Sequence, residues 1–285
     1  HNKILSMKTE NKEVLLIHMG GLGDVCLSES LFFSLSRHFR DSLIACGIRR
    51  FINLFSDYFI RIENIESAKW LFLFSQKPSD ITWKRIIFTG KDRHGSLRTR
   101  LERFSRDPII FIDMYPEAPK DPTPVHVEDY QLRQLVKYNI EPHRKEIVPL
   151  KTDRVILYPE RGFKKEKWGY DNFVELYRML MDKGVPTLLL ESFDTVKTIE
   201  GSVIIRELND VKDFFSEGGI FVSNDSGMAH LAGACGLYTV TIFTDFDPYV
   251  WHPRGRNISL INKNSEIETG MVIETIYKIM GIHGK

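Results

Sequence analysis

Three short stretches of this sequence carry the side chains that could do chemistry on an anionic ligand. Residues 20–24 (GGLGD) place a carboxylate directly after a glycine-rich turn. Residues 224–230 (NDSGMAH) follow a buried apolar run and lead into small residues typical of a closely packed helix. A basic loop, residues 160–167 (ERGFKKEK), stands between them in the chain. Together the stretches offer a carboxylate base, backbone amides for an anion, and a positive charge.

The stretch around Ser226 predicts an anion site at the start of a helix. Asp225 or Ser226 can cap that helix, because the first amides of a helix have no intrahelical partner. The remaining amides and the helix dipole then attract negative charge. Gly227 lacks a Cβ, so a bulky anion can approach the backbone, and His230 lies about one turn further along. A capped strand-to-helix turn without a ligand is the structural alternative.

The glycine-rich turn matches neither of the two common nucleotide-binding motifs. Cys26 occupies the position of the third glycine in GxGxxG, and the Lys-Ser/Thr pair of a P-loop is absent. Asp24 is therefore either a helix cap or a general base for an attacking hydroxyl. Lys167 is either part of a solvated loop or a point charge that neutralises a diphosphate leaving group.

Apolar runs that alternate with amphipathic stretches predict strands followed by helices. The predicted strands cover residues 13–18, 42–46, 70–74, 85–88, 108–113, 154–158, 187–191, 203–206, 220–223 and 239–243, and the main predicted helices 127–138, 172–183 and 265–280. This alternation indicates α/β architecture with largely parallel sheets, where ligands bind at the carboxyl ends of strands. Pro142 and Pro149 break a polar stretch, which predicts domains 1–148 and 149–285.

Composition narrows the classes of partner. With 39 Lys+Arg against 38 Asp+Glu, the chain lacks the overall charge of a nucleic-acid-binding protein. Basic residues between 84 and 106 form a local patch, either a solvated helix face or a contact for an acidic substrate or membrane surface. The cysteines and histidines give no sign of a disulfide framework or a metal site. Cys26, Cys46 and Cys235 form no CxxC pair, which favours buried thiols in a reducing cytoplasm. The histidines lack metal-ligand spacing. No apolar run approaches the length of a transmembrane helix.

Read together, the three stretches resemble the ADP-heptose:lipopolysaccharide heptosyltransferase family, glycosyltransferase family 9. The resemblance is carried by residues 21–25 (GLGDV), by Lys167-Trp168 with Asn172-Phe173, and by residues 225–234 (DSGMAHLAGA). It implies a GT-B fold, in which two Rossmann-like domains with mainly parallel sheets face each other across a cleft. The N-terminal domain would bind the acceptor and the C-terminal domain the nucleotide sugar.

The same resemblance implies roles for individual residues. Asp24 matches the catalytic base, and Lys167 matches the lysine that faces the donor diphosphate. The implied donor-binding residues are Gly21, Gly23, Asp225, Ser226, Gly227, Met228 and His230. Arg93, Arg98 and Arg100 of the basic patch are the predicted contacts to an anionic glycolipid or glycan acceptor. No metal and no cofactor is implied beyond a nucleotide-diphosphate sugar donor, which is ADP-linked in the family.

The predicted function is an inverting, metal-independent transfer of heptose from ADP-heptose to a lipopolysaccharide core or related glycan. The predicted location is the cytoplasm, with peripheral contact to the cytoplasmic face of the inner membrane left open. Two alternatives remain: a nucleotide-sugar epimerase or hydrolase of the same architecture, and a non-catalytic nucleotide-sugar-binding protein. The chain has Gly169 where the family usually has proline, and residues 244–246 (TDF) where it has Gly-Pro-Thr. The donor sugar therefore stays open.

Overall fold

A computed structural model describes residues 12–75, 81–92, 94–117, 123–159, 168–191, 201–263 and 266–282. Its strands are β1 (Val14–His18), β2 (Leu43–Gly47), β3 (Arg61–Asn64), β4 (Arg85–Thr89), β5 (Ile110–Ile112), β6 (Val155–Tyr158), β7 (Thr187–Glu191), β8 (Val203–Ile204), β9 (Ile220–Asn224), β10 (Tyr238–Phe243) and β11 (Asn257–Ile261). Its α-helices are α1 (Leu22–Leu27), α2 (Glu29–Phe39), α3 (Arg49–Ile52), α4 (Ser96–Glu102), α5 (Val127–Leu135), α6 (Tyr170–Asp182), α7 (Leu208–Phe215), α8 (Gly227–Ala234), α9 (Pro248–Trp251) and α10 (Thr269–Met280). Short 3₁₀ helices cover Arg40–Ser42, Asn53–Tyr58, Ala68–Phe74 and Val136–Tyr138.

The chain divides into two compact units. Unit 1 comprises the described residues of His1–Gly20, Ser30–Tyr115 and Gln131–Arg144, and unit 2 those of Gly21–Glu29, Pro116–Tyr130 and Lys145–Lys285. Unit 1 contains a five-stranded sheet in the order β3-β2-β1-β4-β5, and unit 2 a six-stranded sheet in the order β11-β10-β9-β6-β7-β8. All neighbouring strands are parallel. The predicted α/β class with two parallel sheets is confirmed, while the domain boundary after residue 148 stays a prediction.

The central strands are apolar throughout because both faces of each sheet are covered. All five residues of β1 and all four of β6 are buried, the pattern expected for strands inside a parallel sheet. In unit 2, alternate residues such as Val155, Leu157 and Val222 point to one face, where α6 and α10 pack on them through Phe173 and Val272. These helices bury one stripe each and thereby fix the strands whose carboxyl ends form the candidate site.

The apolar run at residues 70–74, predicted as a strand, is instead part of a 3₁₀ helix, Ala68–Phe74. Trp70 is 5% exposed and Leu73 is fully buried, whereas Leu71 is 63% exposed. Burial at positions i and i+3 follows the threefold period of a 3₁₀ helix, not the twofold period of a strand. A short apolar run does not distinguish the two by composition, so this prediction was wrong.

His18 at the end of β1 makes the stability of unit 1 depend on pH. Its ring is 1% exposed, accepts a hydrogen bond from the Gly20 amide at Nδ1, and packs edge-on against Phe32. Burial lowers the pKa of His18 from 6.5 to about 4. Between about pH 6.5 and pH 4, His18 is therefore protonated in the unfolded chain but neutral in the folded chain. The free energy of unfolding falls as the pH is lowered through this range.

We expect the free energy of unfolding to fall by about 2 kcal/mol between about pH 7 and pH 5 from this histidine alone. His18→Asn keeps an acceptor near the Gly20 amide but removes the titrating ring, so its unfolding free energy should change less over the same range. Denaturant titrations at both pH values measure the difference. His94→Asn changes an exposed histidine and serves as the control. Equal pH dependence in wild type and His18→Asn would contradict the assignment.

Candidate functional site

The strand order of unit 2 places a topological switch point between β6 and β9. From β6 the chain adds β7 and β8 on one side of the sheet, and then β9, β10 and β11 on the other. In open α/β sheets, ligands bind outside the carboxyl ends of the strands at such a point. The residues that leave β9 there are Asp225 and Ser226, immediately before α8. The topology thus puts the predicted anion site where a ligand is expected.

Ser226 is the N-cap of α8. Its backbone is extended, and its Oγ accepts a hydrogen bond from the amide of Ala229 at 3.3 Å. The amide of Asp225 is bound to the carbonyl of Ile242 on β10 at 2.9 Å, which fixes the turn to the neighbouring strand. The cap accounts for one of the first amides of α8, and the positive end of the helix dipole lies at the same place.

Helix α1 packs against α8 through two glycines, and all the residues involved belong to unit 2. A Cβ added at Gly23 would lie 2.9 Å from Cδ2 of His230. A Cβ added at Gly227 would lie 3.0 Å from Cβ of Leu22 and 3.3 Å from the amide nitrogen of Gly23. All three distances are shorter than ordinary van der Waals contact, so neither position has room for a side chain. The first turns of the two helices therefore touch backbone to backbone.

Asp24 is the third residue of α1, and its carboxylate is held by the start of its own helix. Oδ2 accepts a hydrogen bond from the amide of Gly21, the N-cap residue, at 2.7 Å. The side chain is half-buried. Within the described ranges no residue donates a hydrogen bond to Oδ1. One oxygen thus fixes the carboxylate and the second is left to accept a proton.

His230 is a buried residue of α8 that packs against α1 at Gly23. Its side chain is 7% exposed, and its Nε2 is 3.7 Å from Oδ1 of Asp225. Its Nδ1 is buried without a hydrogen-bond partner among the described residues. The ring fills the space that the missing side chain of Gly23 leaves. In the structure His230 therefore packs against Gly23. Its contact with a donor stays a prediction, and the same holds for the other donor-binding residues predicted from the sequence: Gly21, Gly23, Asp225, Ser226, Gly227 and Met228.

Asn224, the last residue of β9, holds the chain that follows the basic loop. Its Oδ1 accepts from the amide of Trp168 and its Nδ2 donates to the carbonyl of Trp168, both at 3.1 Å. Trp168 is 2% exposed and its indole Nε1 donates to the carbonyl of Ile267 at 2.8 Å. Trp168, the residue after the basic loop, is thus bound to the last residue of β9, two positions before Ser226. Sequence analysis noted Asn224 within the motif but could not identify its partner, which is 56 residues away.

Arg254 was not among the residues predicted from the sequence. It is 3% exposed, and its guanidinium bonds to Glu29 at 2.5 Å, to Glu128 at 2.7 Å and to the carbonyl of Lys145 at 2.9 Å. These partners come from the three separate chain segments that make up unit 2. A buried charge of this kind is expected only where it is paired. Local sequence patterns do not predict these bonds, because the partners of Arg254 are more than 100 residues away along the chain.

The profile of the family described as Glycosyltransferase family 9 (heptosyltransferase) matches residues 123–278, more than half of the chain. This chain belongs to glycosyltransferase family 9. It is accordingly a glycosyltransferase, as the resemblance implied. A search of curated protein sequences finds no significant match.

Solved structures share the fold at low sequence identity. A glycosyl transferase family 9 protein from Veillonella parvula DSM 2008 has a TM-score of 0.69 and 13% identity, and the match covers 95% of this chain and 98% of that chain. The E. coli heptosyltransferase WaaC with ADP has a TM-score of 0.68 and 13% identity, with coverage of 94% and 99%. The E. coli ADP-heptose lps heptosyltransferase II has a TM-score of 0.64 and 16% identity, with coverage of 94% and 98%. The likeness covers both sheets of the α/β fold.

The remaining predicted site residues of this family 9 protein are distributed differently. Lys167 and Arg93 lie outside the described residues. Arg98 and Arg100 are on α4, which follows the carboxyl end of β4, and the Arg98 guanidinium lies 4.4 Å from the centre of the Phe111 ring. The basic residues of 84–106 divide between the two ends of β4, because Lys84 and Arg85 stand at its amino end. Ligands of parallel α/β sheets bind at the carboxyl ends of the strands. Among the described basic residues, Arg98 and Arg100 follow that end of β4.

Two of the three cysteines, Cys26 and Cys46, are buried, and Cys235 is partly buried. Burial raises the pKa of the Cys26 thiol well above its usual range, so it stays protonated and poorly nucleophilic. No group of three or more His, Cys, Asp or Glu side chains within the described ranges could hold a metal ion. Among the helices described, none is long and apolar enough to cross a membrane.

The close approach of α1 and α8 can be tested with a pair of glycines. Gly227→Ala adds a methyl group where Leu22 and the Gly23 backbone already stand, so we expect a loss of about 1–3 kcal/mol in the free energy of unfolding. Gly270→Ala is the matched control, because Gly270 is also near the start of a helix but has nothing within 4 Å of its Cβ position. That control should stabilise by at most about 1 kcal/mol. Denaturant unfolding that ranks the two variants equally would contradict the packing argument.

Proposed function

We propose that this protein transfers a sugar from a nucleotide-diphosphate donor to a glycan hydroxyl, with inversion at the anomeric carbon. One observation carries the proposal: the helix that bears Asp24 is packed directly on the helix whose N-terminus lies at the switch point of unit 2. A carboxylate with one oxygen available thus shares a unit with an anion-binding helix end. Membership of glycosyltransferase family 9 supplies the reaction class.

The proposed donor is ADP-heptose. Two structures of the similar E. coli enzyme WaaC support this choice, one with ADP and one with ADP-2-deoxy-2-fluoro heptose. The donor diphosphate would bind the amides of Gly227 and Met228 at the start of α8, and the positive charge of Lys167 would help to neutralise it. Neutralisation by amides and a lysine would make a metal ion unnecessary for the departure of the diphosphate.

Glu191 is proposed to bind the donor ribose. It ends β7, the strand next to β6 in the sheet, and its carboxylate is 1% exposed and accepts from the Tyr170 hydroxyl at 2.9 Å. In nucleotide-binding βαβ units an acidic residue that follows the first turn along the chain hydrogen-bonds the ribose hydroxyls.

The proposed reaction is a single in-line displacement. The acceptor oxygen forms a bond to the anomeric carbon while the bond from that carbon to the diphosphate oxygen breaks. The proton of the acceptor hydroxyl passes to Oδ1 of Asp24, and the electron pair of the broken bond leaves with the diphosphate. The α8 amides stabilise the charge that develops on the leaving group. Atoms and charges balance without any further reactant.

The acceptor is proposed to be an anionic glycolipid or glycan of the lipopolysaccharide core type. Support comes from the E. coli enzyme of similar fold that is named ADP-heptose lps heptosyltransferase II. Arg98 and Arg100 on α4, with Arg93 before it, would bind the acidic groups of this acceptor by charge-assisted hydrogen bonds. We propose that the enzyme works in the cytoplasm and meets this acceptor at the cytoplasmic face of the inner membrane.

A thermal-shift panel of nucleotides and nucleotide sugars tests the proposed donor. A ligand at about 100 times its dissociation constant adds about 2.7 kcal/mol to the free energy of unfolding, because it binds only the folded state. We expect ADP and ADP-heptose to raise the melting temperature, and UDP and GDP to raise it less. Ser226→Ala should reduce the shift, since it removes the N-cap that orients the first turn of α8. A larger shift with UDP or GDP than with ADP would replace the proposed donor.

Asp24→Asn tests the base. The amide keeps an oxygen that can accept from Gly21 but cannot take a proton, so we expect kcat to fall by roughly two to four orders of magnitude. Donor affinity should stay close to that of wild type, because the first turn of α8 is unchanged. Transfer is measured with ADP-heptose and an acceptor, and product analysis without acceptor separates transfer from hydrolysis or epimerisation. Turnover near the wild-type rate would remove Asp24 from this role.

A further inference from the structure

Helix α1 is attached to α8 at two places, and only the first belongs to the site described above. At the front, Gly23 and Gly227 bring the first turns together. At the rear, the backbone of Arg254 lies against α8, because a Cβ added at Gly233 would be 2.4 Å from the Arg254 carbonyl oxygen. From there the side chain of Arg254 reaches back to α1 and to the residue that begins α2.

The rear attachment is made of charged and carbonyl groups that are withdrawn from water. Nη1 of Arg254 donates to Oε2 of Glu29 at 2.5 Å and lies 3.5 Å from the carbonyl oxygen of Cys26. Cys26 is in α1, two residues after Asp24, and Glu29 is the first residue of α2, which follows α1 after Ser28 alone. The exposed fractions are 3% for Arg254 and 8% for Glu29. A buried charge pair of this kind resists displacement, because separating it leaves an uncompensated charge in a low-dielectric interior.

The two attachments together constrain more than either alone. A contact at the glycines fixes the distance between the helices but leaves α1 free to pivot about that point. A second contact at the other end of a six-residue helix removes the pivot. The direction of the Asp24 carboxylate, which is rigid relative to α1 through its bond to the Gly21 amide, is then set relative to Ser226.

We propose that Arg254 is a positioning residue for Asp24, and that it acts on α1 through Glu29 and the Cys26 carbonyl. The inference rests on the proposed role of Asp24 as base. Arg254 itself touches no reacting atom. Its effect is to hold the base at the angle that in-line attack requires, and displacement of a reacting group by about 1 Å can cost about 100-fold in rate.

Glu128 provides a matched control for this inference. It bonds to the same guanidinium through Nε at 2.7 Å, is 3% exposed, and lies on α5, which carries none of the proposed site residues. Glu29→Gln and Glu128→Gln each remove one negative charge from the same buried cluster. A purely structural role of Arg254 predicts similar losses from both variants, whereas positioning predicts a loss of turnover from Glu29→Gln alone.

The first experiment compares steady-state kinetics of the two variants in the full chain with ADP-heptose and acceptor. We expect Glu29→Gln to lower kcat about tenfold to 100-fold while KM for the donor stays within about threefold of wild type. Glu128→Gln should keep both parameters within about threefold of wild type and lose only thermal stability. Equal kcat in the two variants, whether reduced or not, would overturn the inference.

Hydrogen–deuterium exchange of the ligand-free chain gives a readout that does not depend on activity. Amides of residues 22–27 should exchange faster in Glu29→Gln than in Glu128→Gln, because only the first variant frees α1. Equal exchange rates would refute the positioning role whatever the enzyme does. Faster exchange together with no transfer by the wild type would count against the proposed function and leave the mechanical coupling supported.

A third variant covers the case in which Glu29→Gln does not fold. Arg254→Lys keeps the positive charge, but a single ammonium group lacks the planar set of donors that binds Glu29, Glu128 and the Lys145 carbonyl together. We expect it to fold and to show the same fall in kcat with unchanged donor KM. Wild-type kcat in Arg254→Lys would overturn the inference.

Discussion

The backbone contact between the first turns of α1 and α8 is the constraint on which the candidate site depends. It exists only because Gly23 and Gly227 have no side chain, and a single methyl group at either position meets an atom at about 3 Å. A contact between backbones is stiffer than one between flexible side chains, since nothing can rotate away. The carboxylate of Asp24 and the N-cap Ser226 are therefore placed on two helices whose separation is fixed by van der Waals contact between their backbones, and the His230 ring packs against Gly23.

Unit 2 is assembled from three chain segments, and one guanidinium touches all of them. Arg254 binds Glu29 from the first segment, Glu128 from the second and the Lys145 carbonyl at the start of the third. A buried ionic cluster adds little net stability compared with an apolar one, but breaking it is costly and its geometry is specific. Such a cluster is suited to hold the three chain segments in one specific arrangement, even though it adds little to the total stability. The apolar contacts of α6 and α10 with the sheet supply the stability instead.

The sequence predicted the features that depend on neighbouring residues and missed those that depend on distant ones. The apolar runs of β1, β6 and β9 and the cap at Ser226 are local patterns, and they appear where they were expected. The edge strands β3 and β11 were missed because both are short and only partly buried, and β3 (RIEN) has a single apolar residue. The bonds from Asn224 to Trp168 and from Arg254 to Glu29 span 56 and 225 residues, and only the folded topology brings these partners together.

The structural and functional interpretations of Asp24 are compatible, because a carboxylate has two oxygens. Oδ2 accepts from the Gly21 amide and so fixes the side chain to the first turn of α1. A carboxylate without that bond would rotate among several rotamers and would spend part of its time directed away from an acceptor. The cap thus removes the conformational freedom that a general base must otherwise lose during the reaction. A short helix held at both ends serves this purpose better than a loop, because its backbone fixes the direction in which the Asp24 side chain points.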